Sequence, residues 1–423
     1  MLPLIGILFH ACAPQTIKTT EVGKGWSNNS VNTVIFRKNA LTSNEDYQFI
    51  AFYDPSGKMV LGKRKLYQQE WELKTTPYSA NVKDAHNSIS IALDAEDYLH
   101  VSWDQHNTPL RYAKSLEPLG LELSKELPMT NKQEKDVTYP EFYNLPNGKL
   151  LFCYRSGESG RGNMVINTYD TTTKNWTQIQ HNLIDGEEQR SAYWQMCTDK
   201  KGNLHLSWVW RETWDVSTNH DMGYAISQDG GQSWEKSNGE QYQLPITAKT
   251  AEYAWKIPQN SELINQTSMT TDQKGQPYIA TYWNDNSIPQ YKIIHLDGDT
   301  WKMMDTNFRK TTFALGGGGT KRIPISRPEI LVNDNTVHLL FRDEERNNRI
   351  SLASTPVGHT EWNIQDLTEA SVGQWEPNYD ISLWERNKEL HIFSQNVTQA
   401  DGEGLADIKP QPVKIIEIKQ LPK

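Results

Sequence analysis

Three of the chain's eleven histidines, His86, His100 and His106, fall within the stretch DAHNSISIALDAEDYLHVSWDQHNTPLRYAKS, Asp84 to Ser115. An imidazole changes charge near neutral pH and serves equally as a proton carrier, a metal ligand or a hydrogen-bonded core residue. Spacing separates these roles. Apolar and polar residues alternate on both sides of Glu96-Asp97, the pattern of two strands joined by a turn. His86 stands about ten residues before that turn and His106 about ten after it, so a hairpin brings both to the same end. His100 stays beside the turn and is expected to serve packing. Two imidazoles at one end suit proton transfer, and no cofactor is expected. A divalent cation held by His86, His106 and His220 is the alternative, although no HxH or HxxxH spacing supports it.

The same hairpin offset places other polar residues beside this pair. Tyr139 opens the next unit and Arg155 closes its hairpin. Trp210, Arg211 and His220 follow the next turn, Asn265, Gln266 and Trp283 flank a later one, and Arg327 and Arg342 a later one still. A ring of His, Tyr, Arg, Asn and Trp around one mouth suits an anionic sugar. Guanidinium groups clamp carboxylates, indoles stack on pyranose faces, and His or Tyr moves protons.

The elements that must position these residues repeat. A strand, a Gly- or Asn-centred turn, a second strand, a loop and a third strand recur seven times, with turns near Gly57, Asp97, Gly148, Gly202, Gly275, Asn335 and Asn387. Multi-stranded units recurring every ~40–70 residues indicate propeller blades rather than helical solenoids. The expected fold is an all-β, single-domain, seven-bladed β-propeller over residues 23–423, with a leader and extension over 1–22. SQDGGQSW, Ser227 to Trp234, matches the S-x-D-x-G-x-x-W hairpin of Asp-box propellers. The closing strand PVKIIEIKQL is expected to complete the first blade and hide both sheet edges. Gly316–Gly319 lacks the strand-to-helix context of a phosphate loop and reads as a loop between blades.

Composition narrows the partners. Of the 423 residues, 36% are hydrophobic and 10% aromatic, with 15 Trp and 18 Tyr, a profile suited to short amphipathic strands. The net charge of -9 is spread along the chain, and no basic stripe for nucleic acid is present. Leu2–Phe9 is an apolar run of signal-peptide type, too short to span a membrane. Cys12 after Ala11 resembles a lipoprotein cleavage site, so export to the periplasm or outer membrane of a Gram-negative bacterium is expected, with membrane attachment only through a lipidated Cys12. Cys153 and Cys197 read as a disulfide or as two buried thiols.

The units HNSISIALDAEDYLHVSWDQHNTPLRYAKS and GWSNNSVNTVIFRKN resemble the BNR-type propellers of polysaccharide-degrading bacteria. That group includes the ulvan lyases of polysaccharide lyase families 24 and 25 and the α-L-rhamnosidases of glycoside hydrolase family 145. The similarity covers essentially the whole chain after about Gly23. It implies a glycan of rhamnose and uronic acid, such as ulvan or arabinogalactan side chains, as the partner. In the lyases, histidine and tyrosine transfer protons while arginine faces the uronate carboxylate, and His86, His106, Tyr139 and Arg155 match that pattern in order and context. Arg211, His220, Trp210, Arg342 and Gln48 would contact the sugar. In the rhamnosidases the catalytic histidine aligns at or near Gln48, and glutamine cannot trade protons at neutral pH. Lyase, rhamnosidase and non-catalytic glycan binder stay open at this point. A sialidase would need an early Arg-Ile-Pro motif, whereas the only such run here is late, at Lys321–Ile325.

Overall fold

An aspartate builds the turn in four of the repeated units. Asp54, Asp94, Asp199 and Asp272 each accept two backbone N–H bonds, from the residues two and four further on, at 2.8–3.0 Å. A short side chain bonding its own turn is the reason aspartate favours such positions. The left-handed residue each loop requires is Gly57, Asp97, Gly202 and Gly275 in turn.

The computed structural model describes residues 17–36, 38–333 and 335–421, so the apolar leader and Cys12 lie outside the described residues. Within them the strands form seven antiparallel sheets, the blades of a β-propeller. Apolar side chains fill the spaces between adjacent blades. Phe49, Ala51 and Tyr53 of the first blade, for example, pack against Ile89, Ile91, Val101 and Trp103 of the second. The Asp box behaves as expected. Asp229 accepts from the Gln232 and Ser233 amides, and Trp234 is fully buried with its N–H on the Gly231 carbonyl. Cys153 and Cys197 are free thiols.

Three expectations are corrected. The C-terminal strand Gln411–Ile418 belongs to the seventh blade, not the first, between Leu390–Gln395 and Ile17–Gly25. Ring closure therefore comes from the N-terminal strand, and the propeller begins ahead of the boundary expected at residue 23. In the seventh unit the expected inner strand is mostly a helix, Ile381–Asn387. Asp380 caps it by accepting from the Leu383 amide, a stronger local signal than the alternation read there, and only a bridge from Tyr379 to Ile392 remains of the strand. The first unit is offset by one strand. Its inner strand is the three-residue Leu41–Ser43, so the Gly57 turn joins the second and third strands, Tyr47–Tyr53 and Lys58–Lys65.

The segment between Ile17–Gly25 and Leu41–Ser43 bonds to several blades. The Ile35 amide bonds Glu376, Lys38 Nζ bonds the Thr267 carbonyl and Glu329, Asn39 Nδ2 bonds the Phe142 carbonyl, and the Ala40 amide bonds Asn378. These partners belong to different blades around the ring. Phe36 from this segment lines the mouth and stacks on His86.

Candidate active site

Asp84 lies in a tight turn before the second blade and organises two histidines at once. One carboxylate oxygen accepts from the backbone amide and Nδ1 of His86, both at 2.9 Å, and the other accepts from His106 Nδ1 at 2.6 Å. The two imidazoles stack with centroids 4.0 Å apart, and Phe36 stacks on the far face of His86 at 5.1 Å. A carboxylate only accepts, so both Nδ1 atoms carry hydrogen and each neutral ring keeps its basic lone pair on Nε2. His106 owes its place to a strand exchange. The short strand His106–Thr108 leaves its own blade and pairs with Val137 and Thr138 of the third, where the Asn107 amide also bonds Thr138 Oγ1 at 2.8 Å.

That exchange sets His106 next to Tyr139. Tyr139 has φ +58°, left-handed for a residue that precedes a proline, at a bulge in its strand. Such a conformation costs ~1–3 kcal/mol and tends to mark functional positions. Its ring lies 6.0 Å from that of His86 and edge-on to Phe36. The Arg155 guanidinium covers the Tyr139 ring at 5.1 Å, and that of Arg211 covers Tyr193 at 4.3 Å. Gly162 makes room for Arg155, because a Cβ there would lie 2.5 Å from Arg155 Cγ. Arg155 and Arg211 bond carbonyl and hydroxyl oxygens. Among the described residues neither forms an ion pair with a carboxylate. Arg327, by contrast, is matched by Glu376 through bonds of 2.8 and 2.6 Å.

The electrostatics follow from these contacts. Burial opposes ionisation of Asp84, but the bonds from His106 and His86 outweigh it and hold its carboxyl well below the usual carboxylate range. Burial would likewise depress His86, yet Asp84 and Glu403 raise its pKa above the usual imidazole value. Burial pushes the Tyr139 phenol up to about 12, so it keeps its proton at neutral pH. For Tyr193 burial is outweighed by Arg211 and Arg155, and its pKa is lowered. The mouth thus offers protonated and unprotonated nitrogen, a phenol donor and two guanidinium charges without acidic partners among the described residues.

A narrow cleft of about 50 Å³ is lined by Phe36, His86, Tyr139, Arg211, Gln266 and Arg327 among others, with His106 and Arg155 stacked behind His86 and Tyr139. The structure therefore brings together His86, His106, Tyr139, Arg155 and Arg211. It adds residues not singled out from the sequence. Glu403, from a loop of the seventh blade, bonds His86 Nδ1 at 3.2 Å and the Thr320 amide at 2.8 Å. Asp84 completes the set. The signal for Asp84 was its position two residues before His86, whereas Glu403 has none.

Four residues expected to contact sugar lie elsewhere. Trp210 is fully buried among Trp194, Trp208 and other side chains between blades, because alternation along its strand turns it inward where Arg211 turns out. Arg342 is buried and spends its donors on the Trp375, Pro324 and Ile323 carbonyls and on Asn348, as a brace for its loops. Gln48 is fully buried between Arg64, Asp380 and His391. The one-strand offset of the first unit puts it at the turn end, away from the mouth. His220 is held by Glu212 and Asp221 outside the cleft. A cation bound by His86, His106 and His220 together is therefore ruled out by position. Asp84, His86 and His106 do place one donor atom each within 4.8 Å, but both Nδ1 atoms already share the carboxylate, so the set is a carboxylate bridging two imidazoles.

The opposite end of the ring carries a wider groove of about 530 Å³, lined by turn residues of the third and fourth blades such as Asn147, Lys149, Lys201 and Asp229. Asp229 is committed to its own turn amides.

Comparison with known proteins agrees with this architecture. The family model described as BNR repeat-containing family member matches residues 47–309. An ulvan lyase, short isoform, of Alteromonas sp. (strain LOR) is 29% identical over 147 residues, covering 30% of this chain and 27% of its own. An ulvan lyase, long isoform, of Pseudoalteromonas sp. (strain PLSV) is 24% identical over 181 residues, 38% of this chain and 18% of its own. The matches thus span about a quarter or less of those relatives. Among solved structures, polysaccharide lyase Uly1 superposes with a TM-score of 0.71 at 14% identity, over 95% of this chain and 99% of that one. A PL25 ulvan lyase bound to -[GlcA(1-4)Rha3S]- gives 0.70 at 14% identity, over 94% and 96%. At that identity the structural likeness speaks for the fold.

Proposed function

From the premise that the chain belongs to the BNR repeat-containing family, we propose that it is a polysaccharide lyase that cleaves uronate–rhamnose glycans of the ulvan type by β-elimination. The observation that carries this reading is the facing of Asp84-bridged His86 and His106 against Tyr139, beside two guanidiniums without acidic partners. Relatives described as ulvan lyases support the choice of substrate.

The steps follow from the groups present. Arg155 and Arg211 take the uronate carboxylate, and their charge stabilises the enolate that builds on it when the C5 proton leaves. His106, with Nδ1 fixed on Asp84, presents Nε2 as the base for that proton. Tyr139, protonated at neutral pH, delivers a proton to O4 as the C4–O4 bond breaks and C4=C5 forms. The products are an unsaturated uronide and a new chain end. His86, whose pKa Asp84 and Glu403 raise, adds positive potential beneath the reacting carboxylate when it is protonated. Export, read from Leu2–Phe9, is part of the proposal, since a polymer of this kind is met outside the cell.

Incubation with ulvan tests the reading. Growing absorbance of the unsaturated uronide is expected, lost in Tyr139→Phe. Release of free rhamnose without that absorbance would show a hydrolase instead, and binding without any product would show a glycan-binding propeller.

A further inference from the structure

The loop joining the second and third strands of the fourth blade carries Trp214, whose side chain is 69% exposed, more than any other large apolar residue among those described. Leaving an indole in water forfeits hydrophobic stabilisation, and a mobile loop would explain such exposure without any function. This loop is built instead to hold its shape. The Ser217 amide bonds Asp215 Oδ1 at 2.8 Å, Thr218 Oγ1 bonds the Asp215 carbonyl at 2.7 Å, and the Thr213 amide bonds Thr218 Oγ1 at 3.1 Å. It is also tied to the tetraglycine loop Gly316–Gly319. Gly317 donates to Asp215 Oδ1 at 2.8 Å and its carbonyl accepts from the Val216 amide at 2.9 Å.

The glycines explain the ring's position. Trp214 lies against Gly318, where a Cβ would come within 2.9 Å of its Cε3. One side of the indole is therefore seated on bare backbone and the rest is presented to solvent. The same two loops supply Val216, Gly319, Thr320 and Lys321 to the wall of the cleft, and Arg211 stands three residues before Trp214. Trp214 is thus a fixed apolar platform at the rim of a cationic cleft.

We propose that Trp214 is a stacking subsite for a pyranose ring of an anionic glycan, at least one sugar unit away from the uronate held in the cleft. A pyranose offers a face of C–H groups that an indole covers well, while the nearby Arg211, which forms no ion pair among the described residues, favours chains bearing carboxylate or sulfate. This rests on the cleft being the uronate site proposed above. Trp214 would act on affinity and on the length of chain engaged, and not on the chemical step.

The test uses the full chain carrying Tyr139→Phe to silence turnover, with oligosaccharides of alternating glucuronic acid and 3-sulfated rhamnose from disaccharide to octasaccharide. Calorimetric Kd values are compared for this parent and for added Trp214→Ala, Trp214→Phe and, as a surface control at the turn end, Leu116→Ala. Trp214→Ala is expected to weaken binding of the longer oligosaccharides about tenfold, to leave the disaccharide unchanged, and to be largely rescued by phenylalanine. Equal affinity of the alanine variant at every length overturns the subsite, as does an equal loss at every length or a parent that binds none of them. Assays without Tyr139→Phe separate the two proposals. Normal uronide release with an unchanged KM in Trp214→Ala removes the subsite and keeps the lyase. Length-dependent loss of binding in a chain that forms no product removes the lyase and keeps the subsite.

Discussion

The second blade contains two histidine–aspartate arrangements built from one hairpin, and they do opposite things. At the turn end, His100 Nε2 faces Asp94 at 3.1 Å and Nδ1 meets the Tyr112 hydroxyl at 2.8 Å, with the ring fully buried against Tyr169 and Trp176. Burial outweighs Asp94 and lowers the His100 pKa. At the mouth, Asp84 is shared by two rings, Glu403 adds a second carboxylate to His86, and His106 stays one-third exposed. There the carboxylates outweigh burial and the His86 pKa rises. The residue types are the same. What differs is how many carboxylates face the ring and how completely water is removed, and that difference separates a packing element from a proton-handling one.

The comparison breaks most visibly in activity. His106→Ala and Tyr139→Phe should each lower uronide release from ulvan by about 10³-fold with unchanged circular dichroism. Retention of a tenth of the rate in either would remove that residue from the proton path. His100→Ala should do the reverse. It strands Asp94 in the interior and should destabilise the fold by about 3 kcal/mol in urea unfolding, while the rate per folded molecule stays within about twofold. A comparable loss of rate in folded His100→Ala would erase the division between the two ends of the hairpin.

How far this division could be read in advance follows from particular residues. The mirror placement of His86 and His106 about Asp97 was legible, because a hairpin converts spacing directly into proximity. His100 was legible as well, and repetition strengthens it. LHV, LHL, VHL and LHI place His100, His205, His338 and His391 just after the turn in four blades, all buried. Gln48 and the seventh blade were not legible. Leu41–Ser43 is too short to register as a strand, so the Gly57 turn was counted one strand early, and the Asp380 cap converts an apparently alternating segment into a helix. Trp210 and Arg342 failed through parity and packing, since one step along a strand reverses the facing of a side chain. Glu403 and Thr320 reach His86 from loops more than two hundred residues away in the chain, and no local pattern encodes that meeting.

Glu403 supplies a finer test. Glu403→Gln keeps one oxygen, enough for the Thr320 amide but not for the Ala85 amide, which bonds the other carboxylate oxygen, and it removes a charge from His86, leaving Asp84 as its carboxylate partner. Uronide release should fall about fivefold, and its alkaline limb should move to lower pH, because His86 loses its proton more readily. An unshifted limb would mean that Asp84 alone sets the state of His86.

The smallest effect is the most direct comparison of the two ends. In an NMR titration of the histidine rings, His86 should change charge above pH 6.5 and His100 below it. The signs carry over to stability. A raised folded pKa means that His86 contributes fully below its unfolded value near 6.5 and loses that contribution as pH rises through the folded value. His100, depressed by burial, contributes nothing against acid. As pH falls below about 6.5 the unfolded ring takes up a proton while the folded ring stays neutral, so stability is lost on the way down to the folded pKa. One hairpin should therefore lose stability at its mouth on the alkaline side and at its turn on the acid side. Substituting His86→Gln should remove only the alkaline component, so an acid component that vanished with it would show the two sites to be coupled through the strands between them.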